Sequence, residues 1–453
     1  MSGGQATASR GAPETLSYRG VLLLSLPIVL SNITTPLLGL TNTAVIGQLG
    51  EAHLIGAVAI GATVFSLLFW AFGFLRMGTT GLTAQAAGAG DAQETAAILA
   101  RALIIAGAAG GLLILLQWPL AWASFTLIKS SAAVEEAARA YFAIRIWSAP
   151  FALANYALLG WFIGLGRTRT ALLLQLVLNG VNILLNLGLV SLLGWGVPGV
   201  ALGTLIAEAL AAALGVVLAL RAAGFGPMSL PWARALDPAG LVRMMVVNAD
   251  LMIRTLSLLF VFTFFTAQAA RAGDVILAAN EVLWQFMNVA AYLLDGFAFA
   301  TEVLAGRAIG AARAEHFREA VRLSSVWAGG IALGVSAGYA LGGGMLIDAL
   351  TTNQEVRETA RLYLPWAVCA PVISVACFQL DGVFIGAVRT RVMRNMMMLS
   401  LAIFLAAWAV LTPAFGNHGL WASLMVFFVA RAATLWVHLP SLERAAFPAA
   451  SRA

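Results

Sequence analysis

The chain has 453 residues, of which 61% are hydrophobic and only 10% charged, with a formal net charge of +6. A soluble globular protein carries about a quarter of its residues as charges, so a single water-surrounded core is excluded and lipid is the expected solvent. Two cysteines, Cys369 and Cys377, both inside an apolar stretch, support neither a disulfide framework nor a zinc site, which leaves them to helix packing.

The first apolar stretch, Val21 to Ile46, follows a polar tail, holds Pro27 and Pro36, and has no processing-like sequence after it. It reads as a retained first span and not as a cleaved signal. Later stretches, such as Ile98 to Trp118 and Met397 to Leu411 with its flanks, break at polar or Gly/Pro points. The division predicts about twelve spans, starting near residues 20, 54, 95, 139, 169, 198, 240, 275, 318, 358, 390 and 416.

An even number of crossings returns both termini to one side. Arg76, Arg145, Arg254 and Arg431 fall inside spans or at their edges. Of the remaining basic residues, only Lys129, Arg139, Arg271, Arg357 and Arg361 lie opposite the termini. Cytoplasmic loops accumulate Lys and Arg, so both termini are expected in the cytoplasm of a bacterial inner-membrane protein. The same bias accounts for the positive charge and points to orientation in a lipid bilayer, with no nucleic-acid partner.

GWFIGLGRTRT from Gly160 reappears as GVFIGAVRTRV from Gly382, an offset close to half the chain that leaves room for six spans. A weaker match at a slightly shorter offset sets Gly78, Thr83 and Gly88 on Gly296, Thr301 and Gly306. Six is even, so the halves run parallel about an axis along the membrane normal, as in transporters that rock around a central site. The expected fold is an all-α polytopic membrane protein of twelve transmembrane helices in two pseudo-symmetric six-helix lobes. Residues 1–19 form an N-terminal tail, 20–221 the first lobe, 222–238 a cytoplasmic linker, 239–440 the second lobe and 441–453 a C-terminal tail. The small-residue pairs Gly160/Gly164 and Gly382/Gly386 are expected at close helix contacts.

No P-loop, HExxH or nucleophile elbow occurs, so neither ATP hydrolysis nor another enzymatic activity is expected. Acidic side chains inside apolar helices stand out, because each costs about 2.5–3.5 kcal/mol at the bilayer centre unless paired or wetted. Glu281, Asn288, Asp295 and Glu302 recur every seventh residue along span 8, forming one stripe. Asp295 falls roughly 18 Å from Arg307, with Asp250 and Asp381 roughly 10 and 12 Å from Arg243 and Arg389. Arg254, one turn after Asp250, reaches the depth of Asp295, so an Asp250, Arg254, Asp295 network is geometrically allowed. These charges either fix helix packing by neutralising one another or bind a coupling ion, and Asp295 is the first choice for the ion.

The N-terminal half differs. Asn179, Asn182 and Asn186 share one face of span 5, joined by Asn155 in span 4 and Asn42 late in span 1. They can line a polar cavity or hydrogen-bond between helices, and packing is the default for any one of them. Glu208 is the acidic residue of this half that falls clearly within the membrane, with a partner that cannot be read from sequence.

The runs PLLGLTNTAVIGQLG from Pro36, FLRMGTTGLTAQAAGAGD from Phe74, LDGFAFATEVLAGRAIGA from Leu294 and LDGVFIGAVRTR from Leu380 together resemble the DinF-type branch of the multidrug and toxic compound extrusion (MATE) family. The match spans nearly the whole chain. The resemblance implies two lobes around a V-shaped cavity and export of small cationic or amphipathic toxic compounds, driven by inward flow of H+ or Na+. No cofactor beyond that coupling cation, and no metal, is implied, and a monomer suffices to form the cavity. The family usually has an acid at the position of Asn42 and often another at Asn186; this sequence has neither. An amide does not exchange a proton in the physiological range, so coupling is expected among Asp295, Glu281, Asp250, Asp381 and Glu302, with Arg254 as charge partner. A flippase for a lipid-linked precursor is the alternative within this architecture and would favour a cationic groove. A receptor or scaffold without transport would call for a larger extramembranous module than these short loops and tails contain.

Overall fold

The computed structural model describes residues 16–47, 51–128, 130–224, 226 and 230–448, excepting the side chains of 35–45, 47 and 52. Asn42 is among those exceptions and lies outside the described residues. Regular structure is helical throughout the described chain. Span 1 is α1 (Tyr18–Gly47), span 2 is α2 (Ala52–Ala71) followed by α3 (Phe74–Gly88), and span 3 is α4 (Ala92–Leu115), extended by α5 (Gln117–Leu127). Span 4 is α6 (Ala132–Arg145) and α7 (Ala149–Gly164), span 5 is α8 (Thr168–Asn186) with a π-helical end at Leu187–Leu192, and span 6 is α9 (Gly196–Ala223). After the short α10 (Trp232–Ala235) come α11 (Pro238–Arg271), α12 (Asp274–Gly310), α13 (Ala314–Leu350), α14 (Gln354–Gly386), α15 (Thr390–Phe415) and α16 (Asn417–Ala446), which are spans 7 to 12.

Local chemistry explains the interruptions. Pro150 has no N–H to donate, and the chain tightens into a 3-10 turn at Ile146–Ser148 just before it. Span 4 starts at Ala132, upstream of the expected 139, because Glu135 and Arg139 pair one turn apart (2.8 Å) and extend the helix beyond its apolar part.

The twelve spans form two six-helix lobes. In the first, α1 packs on α8, α4 on α7 and α8 on α9; in the second, α12 packs on α14, α13 on α14 and α15 on α16. The internal repeat is visible in the backbone contacts. Gly160 and Gly164 press on the main chain of Arg76 and Thr80, while Gly382 and Gly386 press on that of Ala298 and Glu302. The partners are separated along the chain by the same offset as the glycines that touch them. A Cβ at any of the four would strike a carbonyl oxygen, so close approach requires glycine there.

On the side that carries the chain ends the lobes meet tightly. Here α3 of the first lobe lies against α11, α12 and α14 of the second. Gly88 contacts the Arg307 carbonyl, Gly310 the Gln85 carbonyl, and Gln85 Nε2 donates to the Gly386 carbonyl (2.9 Å). Arg307 donates to the Leu165 carbonyl across the same boundary. Nearer mid-depth, Asn32 Nδ2 donates to the Tyr292 carbonyl (3.4 Å) and Trp70 stacks on Phe262 (6.3 Å between centroids).

The connection between lobes is fastened to the first. Arg101 of α4, itself buried, donates to the carbonyls of Arg234 and Ala235 at the end of α10 and to Glu94 (2.6 Å). Arg234 reaches back to both oxygens of Asp91 (2.9 and 3.0 Å), and Asp237 caps α11 by accepting from the Gly240 N–H (2.8 Å).

Candidate functional site

The acidic stripe of span 8 descends from surface to interior. Glu281 is exposed, Asn288 and Asp295 are half-buried, and Glu302 is 0% exposed. Exposure along this face of α12 thus falls towards Glu302, where α3 and α14 pack against the helix.

Around this stripe the structure gathers three arginines from helices distant in sequence. Asp381 of α14 accepts, through the same oxygen, from Arg254 of α11 and Arg431 of α16. Arg76 of α3 lies 3.7 Å from Glu302 across the lobe boundary, beyond hydrogen-bond length, with its guanidinium over the Phe299 ring (3.7 Å). Asp250 sits apart, accepting from Arg394 (2.7 Å) and Thr390 (3.0 Å) of α15. The expected Asp250, Arg254, Asp295 network is thus not the one formed, since Arg254 turns to Asp381 and Asp250 to span 11.

Asp295 is left over. Among the described residues it makes no hydrogen bond and no ion pair, while Arg76, Arg254, Arg431 and Asp381 are all close enough to act on it electrostatically. One carboxylate between two guanidiniums leaves the Arg254, Asp381, Arg431 group with an excess positive charge. The half-buried Asp295 carboxylate balances that charge at a distance while keeping its oxygens available. Glu281, by contrast, is remote from all three arginines of the cluster.

The first lobe satisfies its own charge locally. Glu208 receives two hydrogen bonds from Arg145 (2.6 and 2.8 Å), and Arg145 also lies over Phe65 and Phe69 (5.3 Å each). The asparagines serve helix contacts: Asn155 donates to the Glu208 carbonyl (3.0 Å), Asn179 to that of Thr34 (3.2 Å), Asn182 to Thr204 (2.8 Å) and Asn186 to Asn182 (2.9 Å). None of these four lines the cavity that this lobe does contain. That cavity, about 170 Å³, is walled by α1, α3, α7 and α8 and closed by Phe299 of α12, and its polar groups come from Ser31, Asn32, Arg76, Tyr156, Thr168 and Gln175. Arg76, Arg145 and Arg431 are thus central side chains that the carboxylate-led reading passed over. Their signal was present, since each is a lone guanidinium within an apolar run.

The MatE family model matches residues 27–187 and 251–410. The chain is 40% identical over 422 residues to DNA damage-inducible protein F of Escherichia coli, covering 93% of this chain and 92% of that one. It is 30% identical over 320 residues to the probable multidrug resistance protein NorM of Deinococcus radiodurans, covering 68% and 67% of the two chains. Among solved structures, the Vibrio cholerae MATE transporter VcmN in its bent form superposes with a TM-score of 0.86 at 19% identity, over 95% of this chain and 97% of that one.

Proposed function

The chain belongs to the MatE family of multidrug-efflux transporters, and from that premise we propose that it exports small cationic or amphipathic toxic compounds by antiport against H+ or Na+. The two lobes rock between openings on opposite membrane faces. Both termini lie on the cytoplasmic side of a bacterial inner membrane, so the buried Glu302 end of the stripe is the cytoplasmic end and its exposed Glu281 end faces outward. Substrate and coupling cation compete for Asp295, and the loaded carboxylate resets the lobes.

One observation carries this assignment: among the described residues Asp295 is the half-buried acid of the cluster with neither a hydrogen bond nor an ion pair, whereas Glu302 is fully buried with Arg76 3.7 Å away, Asp381 is held by two arginines and Asp250 by Arg394 and Thr390. A flippase for anionic lipid precursors would gain from a surplus of cations, and here Arg76, Arg254 and Arg431 are matched by Glu302, Asp381 and Asp295. The test is uptake of a fluorescent organic cation into inside-out vesicles under an imposed pH or sodium gradient. The effective gradient names the ion. Asp295→Asn should abolish gradient-driven uptake while insertion into the membrane is retained, and normal uptake by that variant would move coupling elsewhere.

A further inference from the structure

The cavity of the first lobe has a character opposite to that of the acidic stripe. No Asp or Glu is among its lining residues, and its one cationic side chain is Arg76. That guanidinium is only 13% exposed, and among the described residues it donates no hydrogen bond; its buried Nη1 faces the Glu302 carboxylate at 3.7 Å, beyond hydrogen-bond length. A guanidinium presents five donors in a fork shaped for a carboxylate, and a 3.7 Å ion pair leaves that fork without a hydrogen bond to the protein. Phe299 covers one face of the guanidinium and fixes its plane, so the donor edge has a defined direction.

The remainder of the wall suits an apolar body. Ile28, Leu159, Ile163 and Ala171 line it, while the Asn32 and Gln175 amides are already engaged with Tyr292 and Asn179. A volume near 170 Å³ is that of a cavity able to hold about one benzene-sized group. We infer that this cavity is a binding site for a small organic monoanion, a carboxylate on a single-ring apolar body, with the carboxylate taken by Arg76. This goes beyond the cation export proposed above and does not depend on it. The occupant's carboxylate approaches Arg76 where Glu302 lies 3.7 Å away, so bound anion and the opposite lobe share one guanidinium.

The test uses the full chain in lipid nanodiscs and benzoate as the probe, followed by saturation-transfer NMR with empty nanodiscs as the blank. Benzoate should bind. Its Kd should rise at least tenfold in Arg76→Gln, which removes the fork, and in Ala171→Phe, which fills the cavity and keeps the arginine. Benzylammonium, of the same shape and opposite charge, should not bind at concentrations that saturate benzoate. Should Arg76→Gln fail to fold, Ala171→Phe decides alone. Absence of benzoate binding, an unchanged Kd in the folded variants, or equal binding of benzylammonium would each overturn the assignment. Because no ion gradient enters the experiment, its failure leaves the role of Asp295 untouched.

Discussion

The two lobes share a backbone plan and differ in their charge chemistry. Glycines related by the internal repeat press on main chain related by the same offset, yet the positions they touch, Arg76 and Thr80 in one lobe, are Ala298 and Glu302 in the other. The first lobe closes Arg145 on Glu208 as a complete bidentate pair, while the second holds Asp381 between two arginines and leaves Asp295 over. Repetition conserves the contacts that let helices approach, and function diverges in the side chains that those contacts leave pointing inward.

The comparison breaks most decisively at Asp381. Removing its charge leaves two buried guanidiniums facing each other, and Asp381→Asn should cost at least about 3–5 kcal/mol, with partial recovery in Asp381→Asn/Arg431→Met. Thermal unfolding in detergent, followed by tryptophan fluorescence, measures both. Arg145→Ala should destabilise the first lobe by about 3–5 kcal/mol, because Glu208 is then buried alone. An equal Tm for parent and variant would mean that the pair is wetted. Gly164→Ala and Gly386→Ala sharpen the symmetry: each forces a Cβ onto main chain and should cost about 1–3 kcal/mol, to a similar extent in both lobes. Asp295→Asn, which breaks no hydrogen bond and removes only a charge that acts at a distance, should change stability by less than about 1 kcal/mol even as it removes coupling, which separates it from the hydrogen-bonded acids.

The smallest effect lies outside the membrane. The Glu94 N–H, and after it Arg234, hold the Asp91 carboxyl below its ordinary value of 3.8. The folded state therefore binds fewer protons here than the unfolded state, so this contribution is complete above pH 5 and is lost as pH falls through and below 3.8. Hydrogen exchange at residues 232–237 should quicken on acidification in the parent, and in Asp91→Ala it should be fast and flat with pH, a change of about 1 kcal/mol.

Much of this architecture was legible in the sequence. Apolar runs and their breaks locate the spans, and the GWFIGLGRTRT repeat locates the symmetry, because both follow from local periodicity. The seven-residue spacing of Glu281, Asn288, Asp295 and Glu302 also placed Asp295 at mid-depth and on one face with Glu302. What spacing does not encode is who meets whom across helices. Arg254 and Asp381 are 127 residues apart and Asp250 and Arg394 are 144, whereas helical periodicity speaks only for neighbours such as Asp250 and Arg254. The cavity was illegible for the same reason, since five helices contribute its wall.

The fastening of α10 to the first lobe has a kinematic consequence. With Arg101 gripping the end of α10, only Leu236 and Asp237 stand between an element fixed to one lobe and the first residue of the other lobe's opening helix. Two extended residues reach roughly 7 Å, so this corner cannot slide far. It can still turn. The tether behaves as a ball joint, and lengthening it by a few flexible residues would convert a constrained rotation into a loose one without altering a single contact inside either lobe.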